Sequence, residues 1–367
     1  MKMRLLAGMT ALCTLLSGCA SLLNREYVSV TTHNMAPTAE GDSSTLRAES
    51  YQELVNALLY FITQGTEEGS IRLYVDAEDV EADLEAACLE VVQEDPLGSY
   101  AVEFIKYSVS SVVTYCEADV QITYRRTKDQ IDSIVSATGT SAIRGELEEA
   151  LAAFATECVL RISYFSGDTD YILDLMRQAY YANPSAALGM PEAAVSLYPD
   201  SGQQRIVEVV LSYPLELPEL KRRQTLAEQE AEQLSRQAAP HTEIRSQILT
   251  AGQAVLDAGG YVPDSGSTAY HALLTGGADS EGLALAMALV CQYLDIPCQV
   301  VQGTQAGEPH FWNVVSLGEF WRHLDLTGWG QQNQSLFTDE AFQTAGYTWD
   351  TALVPQCRTF DTTAEGT

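Results

Sequence analysis

Basic residues are scarce in this chain. Its 367 residues include 20 lysines and arginines against 50 aspartates and glutamates, which gives a formal net charge of −30 at pH 7. Binding to a nucleic-acid backbone needs a basic surface, so nucleic acid is excluded as a ligand. Anionic lipid or cell-wall polymer would also be repelled by the average surface, whereas cationic peptides would not.

The sequence also lacks a membrane-spanning run and the motifs of common cofactor sites. No stretch has 18 uninterrupted apolar residues. Calcium-loop, Gly-rich phosphate-loop, C-x-x-C and Cys/His metal patterns are absent. We therefore expect no cofactor and no metal site, and a mature protein that does not span a membrane.

Residues 1–18 are typical of a bacterial lipoprotein signal peptide. A basic start is followed by an apolar stretch from Leu5 to Leu15 and by the cleavage box LSGC, which ends at Cys19. Cleavage before Cys19 would leave a lipid-modified N-terminus, so we expect an extracytoplasmic protein anchored to a bacterial membrane through this lipid only. An ordinary secretory signal cut elsewhere is the alternative. Residues 19–44 are predicted to be a flexible tether.

Cysteine usage leaves the redox state open. Six cysteines remain beyond the lipidation site, at positions 88, 116, 158, 291, 298 and 357. An exported protein permits disulfides, and fifteen full pairings are conceivable. Cys291 and Cys298 lie in apolar surroundings where small buried thiols are equally natural.

Two stretches after the tether share a pattern. Residues 53–58 (ELVNAL) correspond to 146–151 (ELEEAL), and further pairs downstream have the same offset of about 90 residues. This spacing predicts two repeated α/β units, 45–130 and 140–224, each with the order helix, strand, helix, strand, strand. Chance similarity between amphipathic segments is the alternative. Neither unit has recognisable site chemistry, so binding or spacing is the expected role.

Four blocks in the C-terminal part follow one another over about 50 residues. They are GADSEGLA at 277–284, DIP ending at Pro297, HFWN at 310–313 and LDLT at 324–327. Asp279 is a good helix N-cap, and an apolar stripe from Leu283 to Leu294 predicts a buried helix that begins at Ser280.

These blocks resemble the core of the bacterial transglutaminase-like family, in which the first block contains the nucleophilic cysteine. The resemblance covers residues 225–358 and implies a domain, 225–367, in which a central helix packs on an antiparallel sheet. The whole chain is then α+β, with the two α/β units in front. The family fold is similar to that of papain-like proteases, and it implies a peptide or protein amide as substrate. Here Ser280 occupies the cysteine position, with His310 as base and Asp325 as its orienter.

The two strands that carry His310 and Asp325 are predicted to form a hairpin. If the turn centres on residues 317 and 318, opposed residues have numbers that sum to 635. His310 then faces Asp325, and Trp312 faces His323 on the same side of the sheet. We expect Trp312 and Tyr270 to line the cleft beside Ser280.

The serine at position 280 leaves two functions open. A cysteine thiol can ionise beside an imidazole at a helix N-terminus, whereas a serine hydroxyl must lose its proton during attack. The first function is a catalytically degenerate domain that binds or scaffolds peptides or proteins at the cell envelope. The second is an active amide hydrolase or acyl transferase that uses a Ser280-His310-Asp325 triad.

Overall fold

The structure, a computed structural model, describes four ranges of the chain. They are residues 37–40, 42–74, 80–328 and 336–358. The predicted signal peptide, Cys19 and the first part of the predicted tether lie outside them.

The end of the predicted tether is a pair of strands. β1 (Thr38–Glu40) pairs antiparallel with β2 (Asp42–Ala48), and Leu46 and Ala48 are buried in the core of the first unit. Residues 38–40 and 42–44 of the predicted tether thus lie in strands, and the flexibility of the tether stays a prediction.

The first α/β unit is a sheet with helices against one face. Its further elements are α1 (Tyr51–Gln64), β3 (Glu68–Leu73), α2 (Val80–Gln93), α3 (Pro96–Ala101), β4 (Val102–Val112), β5 (Tyr115–Tyr124) and α4 (Lys128–Asp132). The strand order is β1-β2-β3-β5-β4, with β2 parallel to β3 and the other neighbours antiparallel. Buried and more exposed side chains alternate along β5, as expected for a sheet that is covered on one face.

The second unit has the same order of strands. Its elements are β6 (Val135–Ala137), α5 (Thr140–Ala153), β7 (Glu157–Ile162), α6 (Thr169–Ala182), β8 (Glu192–Tyr198) and β9 (Arg205–Ser212). The order β6-β7-β9-β8 and its directions match β2-β3-β5-β4 of the first unit. The predicted order of helix, strand, helix, strand, strand is present in both units. It is preceded by two strands, β1 and β2, in the first unit and by one strand, β6, in the second, and the short helix α3 is an extra element of the first. A common origin of the two units stays a prediction.

The C-terminal part combines a helical layer with an antiparallel sheet. Its elements are α7 (Leu217–Ala238), α8 (Ile244–Ala258), α9 (Ala269–Leu274), α10 (Ser280–Gln292), β10 (Cys298–Gln305), β11 (Glu308–Ser316), β12 (Trp321–Leu324), α11 (Asp339–Thr344) and β13 (Tyr347–Trp349). The sheet has the order β12-β11-β10-β13, and α10 packs on β10 and β11. The predicted α+β fold with a central helix on an antiparallel sheet is therefore confirmed.

Helix α7 joins the second unit to the C-terminal part and crosses the predicted boundary at residue 225. One side of this helix is buried. Leu220 packs with Phe154 and Leu188 of the second unit, and Ala227 lies in a core that both parts share. The boundary is therefore a packed helix, because its apolar residues recur at helical spacing and bury that side.

Helix α10 is buried on all sides. Every residue from Gly282 to Cys291 is buried, because α7, α8 and α9 cover the face opposite the sheet. The predicted core positions Leu283, Met287 and Val290 are confirmed. Leu294 lies beyond the end of the helix at Gln292 and is only partly buried, so the prediction of a buried helical Leu294 is wrong.

The cysteines of the described residues are free thiols. Four of them are buried and two are partly buried, namely Cys158 and Cys298. Within the same residues, no helix is both long and apolar enough to cross a membrane.

Candidate active site

Ser280 is the first residue of α10. Asp279 caps this helix, and its Oδ1 accepts a hydrogen bond from the Gly282 N–H at 3.0 Å. Its second oxygen accepts a hydrogen bond from the Ser267 hydroxyl. The cap is thus fixed from both sides, and Ser280 lies in the first turn, at the positive end of the helix dipole.

His310 and Asp325 form a nearly buried pair. The His310 Nε2 lies 2.8 Å from the Asp325 Oδ2, and the two side chains are 9% and 5% exposed. Since Nε2 faces the carboxylate, Nδ1 is the ring nitrogen that remains for another partner. The predicted orienting contact between these residues is present.

The Asp325 carboxylate receives more hydrogen bonds than the sequence indicated. Tyr347 donates its hydroxyl to Oδ2 at 2.6 Å, and Thr327 donates its backbone N–H (2.9 Å) and its hydroxyl (2.8 Å) to Oδ1. Burial alone would raise the pKa of Asp325, but the hydrogen bonds from His310, Tyr347 and Thr327 and the charge of His310 outweigh it and lower that pKa. The carboxylate is therefore held as an anion. Burial raises the pKa of Tyr347, and the neighbouring Asp325 raises it further.

The hairpin register differs from the predicted one. Asn313 pairs with Leu324 and Val314 with His323, so opposed numbers sum to 637 rather than 635. The turn lies at Gly318 and Glu319, and Gly318 has φ +96°, a value that suits the first central position of a tight II′ turn. A shift by two residues leaves each side chain on its face of the sheet. His310 therefore reaches Asp325 diagonally rather than directly across.

Ser280 lies against the strand that carries His310. Its Oγ accepts a hydrogen bond from the backbone N–H of Phe311, the next residue of β11, at 3.3 Å. Asn313 ties the same strand to α10, since its amide donates to the Ala284 carbonyl at 2.9 Å. Over the described ranges, no hydrogen bond joins the Ser280 hydroxyl to the His310 ring. The three predicted residues are thus gathered at one place.

Trp312 lies beneath His310 and does not line the cleft. Its ring stacks on the His310 ring with centroids 6.3 Å apart and planes at 23°, and it is 1% exposed. Its Nε1–H donates to the Nδ1 of His323 at 2.9 Å, so the predicted neighbours Trp312 and His323 do meet. The cleft-lining role is a wrong prediction, because a fully buried ring cannot contact a ligand directly.

Tyr270 is also placed differently from its prediction. It stands on α9, and its ring packs against Arg222 and Arg223 of α7, with the Arg223 guanidinium 5.0 Å from the ring centre. It also packs on the small cluster around Phe154. The Tyr270 ring therefore packs where α7 meets the second unit. The position of Tyr270 in the sequence, near the Ser280 motif, does not indicate this contact.

The second unit contacts the site directly, which no sequence motif indicated. Tyr181 of α6 donates its hydroxyl to the Oε1 of Glu281 at 3.1 Å, and its ring lies 5.5 Å from that of Phe311. Burial raises the pKa of Glu281 to about 7, against a smaller lowering by the Tyr181 hydroxyl. Tyr181 of α6 thus contacts Glu281, which follows Ser280, and Phe311, which follows His310.

One group of side chains has the composition of a metal site. Ligand-type atoms of His323, Asp339 and Cys357 lie within 4.8 Å of one another. However, His323 accepts the Trp312 N–H at Nδ1, so its Nε2 carries the proton and donates to Asp339 Oδ1 at 2.8 Å. A metal-binding histidine needs the reverse, an unprotonated nitrogen toward the ion and an N–H toward an acceptor. This group therefore does not fit a metal ion.

Comparison with known proteins agrees with this arrangement. Residues 228–326 match the family model described as "Transglutaminase-like superfamily", a span that includes Ser280, His310 and Asp325. Among curated proteins, none matches the sequence. A solved structure described as "Crystal structure of a TGase" is similar at 14% identity over 62% of this chain and 67% of the other, with a TM-score of 0.29. Residues 228–326 of this chain therefore match a transglutaminase-like domain.

Proposed function

We propose that the transglutaminase-like domain is catalytically degenerate and binds peptide or protein chains in the cleft at Ser280. The observation that carries the proposal is the state of the Ser280 hydroxyl. It stands where the family has a thiol, and it accepts a hydrogen bond from the Phe311 N–H. A serine can act as nucleophile only if a base removes its proton during attack. Among the described hydrogen bonds, the hydroxyl has none to His310 that would serve this transfer.

An active Ser280-His310-Asp325 enzyme is the second candidate. The anionic Asp325 carboxylate and its 2.8 Å contact with His310 favour it, because they hold the imidazole in the orientation that a general base needs. The α10 N-terminus also offers N–H groups for a developing oxyanion. In this case the protein would cleave or transfer peptide amides.

An activity-based probe separates these two functions. We expect a fluorophosphonate probe to leave Ser280 unlabelled and a mixture of peptide amides to remain uncleaved, because the hydroxyl is not paired with the base. Intact mass and peptide mapping measure the labelling, and Ser280→Ala is the matched control. Probe adduct on Ser280, together with peptide cleavage that Ser280→Ala abolishes, would establish the enzyme and reject the degenerate site.

Binding needs a test of its own. Peptides from a digest of envelope proteins are titrated into the unmodified protein while the amide resonances of Ser280, Phe311 and Glu281 are followed. We expect saturable shifts at these three residues, because they surround the hydroxyl. The absence of any shift at millimolar peptide would count against a peptide-binding cleft.

The proposed location is the outer face of a bacterial membrane, with the lipid on Cys19 as the anchor. The lipoprotein cleavage box LSGC supports this proposal. Since only the lipid holds the protein there, Cys19→Ala is expected to give uncleaved precursor or release of the protein into the soluble fraction. Fractionation and the mass of the N-terminal peptide measure this. A fully processed Cys19→Ala protein that stays on the membrane would contradict lipid anchoring.

In this proposal the two N-terminal α/β units serve binding and spacing at the envelope. The contact of Tyr181 with Glu281 and Phe311 supports a direct contribution of the second unit to the cleft. The first unit packs on the second through a core that includes Val159 and Ile206. The net charge of −30 makes a cationic peptide a better ligand than an anionic one.

A further inference from the structure

A second histidine-aspartate pair lies below the first. Trp312, His323 and Asp339 form a chain of hydrogen bonds, which we name the indole clamp. The Trp312 Nε1–H donates to His323 Nδ1 at 2.9 Å, and the His323 Nε2–H donates to Asp339 Oδ1 at 2.8 Å. The clamp ends at the Trp312 ring, which stacks on the His310 imidazole.

The far end of the clamp is fixed by the C-terminal segment. The Cys357 N–H donates to Asp339 Oδ2 at 3.0 Å, and the Asp339 N–H donates to the Cys357 carbonyl at 2.9 Å. Both carboxylate oxygens of Asp339 are therefore engaged. This aspartate cannot turn away from His323 without breaking the contact that holds the segment near Cys357.

His323 is itself fully buried and held between aromatic rings. It is 0% exposed, stacks on Phe342 with ring centres 4.6 Å apart, and meets the edge of Trp349 at the same distance. Burial lowers the pKa of His323 and outweighs the effect of Asp339, so the ring is neutral and keeps a single tautomer. Its two nitrogens then have fixed roles, one as acceptor from Trp312 and one as donor to Asp339.

The choice of residue at position 323 is informative. A leucine or phenylalanine would fill a fully buried position between Phe342 and Trp349 without any polar group to satisfy. A histidine there adds one requirement, because the indole N–H of Trp312 must point at Nδ1. This requirement fixes the rotation of the indole in its plane, which packing of flat rings alone does not determine.

We propose that His323 and Asp339 are positioning residues for the His310-Asp325 pair and act through Trp312. The indole face supports the imidazole from below, while the Tyr347 ring meets its edge with centres 5.8 Å apart. With Nε2 held by Asp325, the indole prevents the imidazole from tilting away from Ser280. The inference concerns the resting geometry of His310, so it holds whether or not Ser280 reacts.

The first test uses the unmodified protein. Nitrogen-15 spectra of the imidazole rings report which nitrogen of His323 carries the proton. We expect an unprotonated Nδ1 and a protonated Nε2 at neutral pH, together with a slowly exchanging Trp312 indole proton. A His323 with its proton on Nδ1 cannot accept from Trp312, and that result alone would overturn the proposal.

The second test uses two amides of similar polarity. His323→Asn places an amide oxygen near the position of Nδ1 and keeps an acceptor for Trp312, whereas His323→Gln places its amide near Nε2 and keeps only the side toward Asp339. We expect the His310 ring-proton shifts to move in His323→Gln and to stay near those of the unmodified protein in His323→Asn. Equal effects of the two variants, including no effect in either, would reduce His323 to a packing role.

The rate of thiol alkylation gives the expected size of the difference between the two His323 variants. In a Ser280→Cys background we expect His323→Gln to slow thiol alkylation roughly two- to fivefold, the size of one lost ring-to-cation contact, with His323→Asn close to the parent. If His323→Gln fails to fold, the His323 tautomer of the unmodified protein and the ring-proton shifts of His323→Asn still test the proposed role of His323. If Ser280→Cys is unreactive from the start, the degenerate-site proposal fails while the ring-proton shifts still test the clamp.

Discussion

Replacing Ser280 with cysteine is expected to create a thiol that alkylates about ten- to a hundredfold faster at pH 6 than an ordinary exposed cysteine. An ordinary thiol has a pKa of about 8.5, whereas helix N-termini and neighbouring imidazolium groups lower that pKa to about 3.5–7.5. The lower intrinsic nucleophilicity of such a thiolate offsets part of the gain. Position 280 has the α10 N-terminus, the Phe311 N–H on its side-chain atom and the His310-Asp325 pair in the same cleft.

The pH profile of alkylation with iodoacetamide measures this result. Ser201→Cys is the matched control, since Ser201 is exposed between β8 and β9 and far along the chain from the helix. His310→Gln in the Ser280→Cys background should return the profile most of the way to that control, because the imidazolium is then lost. An indistinguishable profile for Ser280→Cys and Ser201→Cys would mean that the cleft is not a relic of a thiol enzyme.

The outcome also bears on why the native residue is serine. A hydroxyl keeps its proton at any physiological pH, so the electrostatic features that stabilise a thiolate give it no charge to stabilise. The same surroundings would then favour a reactive cysteine and an inert serine. The degenerate-site proposal requires this combination, in which the geometry around position 280 is retained and its nucleophilic reactivity is lost.

The site itself was largely predictable from sequence. Asp279 as a cap and the apolar spacing after Ser280 are local signals, and the structure confirms the helix that they predict. The prediction that His310 and Asp325 share a face of the sheet was also correct, because the actual register differs from the predicted one by two residues and such a shift keeps each side chain on its face. The register was wrong by two residues because it depends on the turn, and the position of Gly318 in that turn is a matter of backbone conformation.

Contacts between distant parts of the chain were not predictable. Tyr181 and Glu281 are 100 positions apart, and neither stands in a motif that points to the other. The roles of Tyr347 and of Asp339 likewise depend on how the segments after β12 fold back onto the sheet. The burial of α7 was not predictable for the same reason, since its apolar pattern does not show that a second unit covers that side.

The Glu281 carboxyl is expected to make the protein less stable as the pH rises from about 4.5 to 7. Burial raises the pKa of folded Glu281 to about 7, whereas an unfolded glutamate has a pKa of about 4.3. The folded state therefore binds this proton more tightly. Its stabilising effect is complete below the unfolded pKa and is lost as the pH passes through the folded pKa, with a total change of roughly 4 kcal/mol.

Glu281→Gln isolates this effect, because glutamine resembles the neutral acid and does not titrate. The free energy of unfolding of Glu281→Gln, minus that of the unmodified protein, should rise by roughly 3 kcal/mol between pH 4.5 and pH 8, as other groups cancel in the difference. Denaturant titrations at a series of pH values measure it. Glu149→Gln, an exposed glutamate on α5, is the control and should give a difference that does not change with pH.

A second variant tests the cause of the shift. The Tyr181 hydroxyl donates to Glu281 and lowers its pKa, so Tyr181→Phe should move the loss of stability to still higher pH. Because Tyr181 belongs to the second α/β unit, this displacement would also show in solution that the unit is coupled to the residue beside Ser280. A pH-independent difference for Glu281→Gln, or an unchanged midpoint in Tyr181→Phe, would mean that Glu281 is solvated and that the second unit does not shape the cleft.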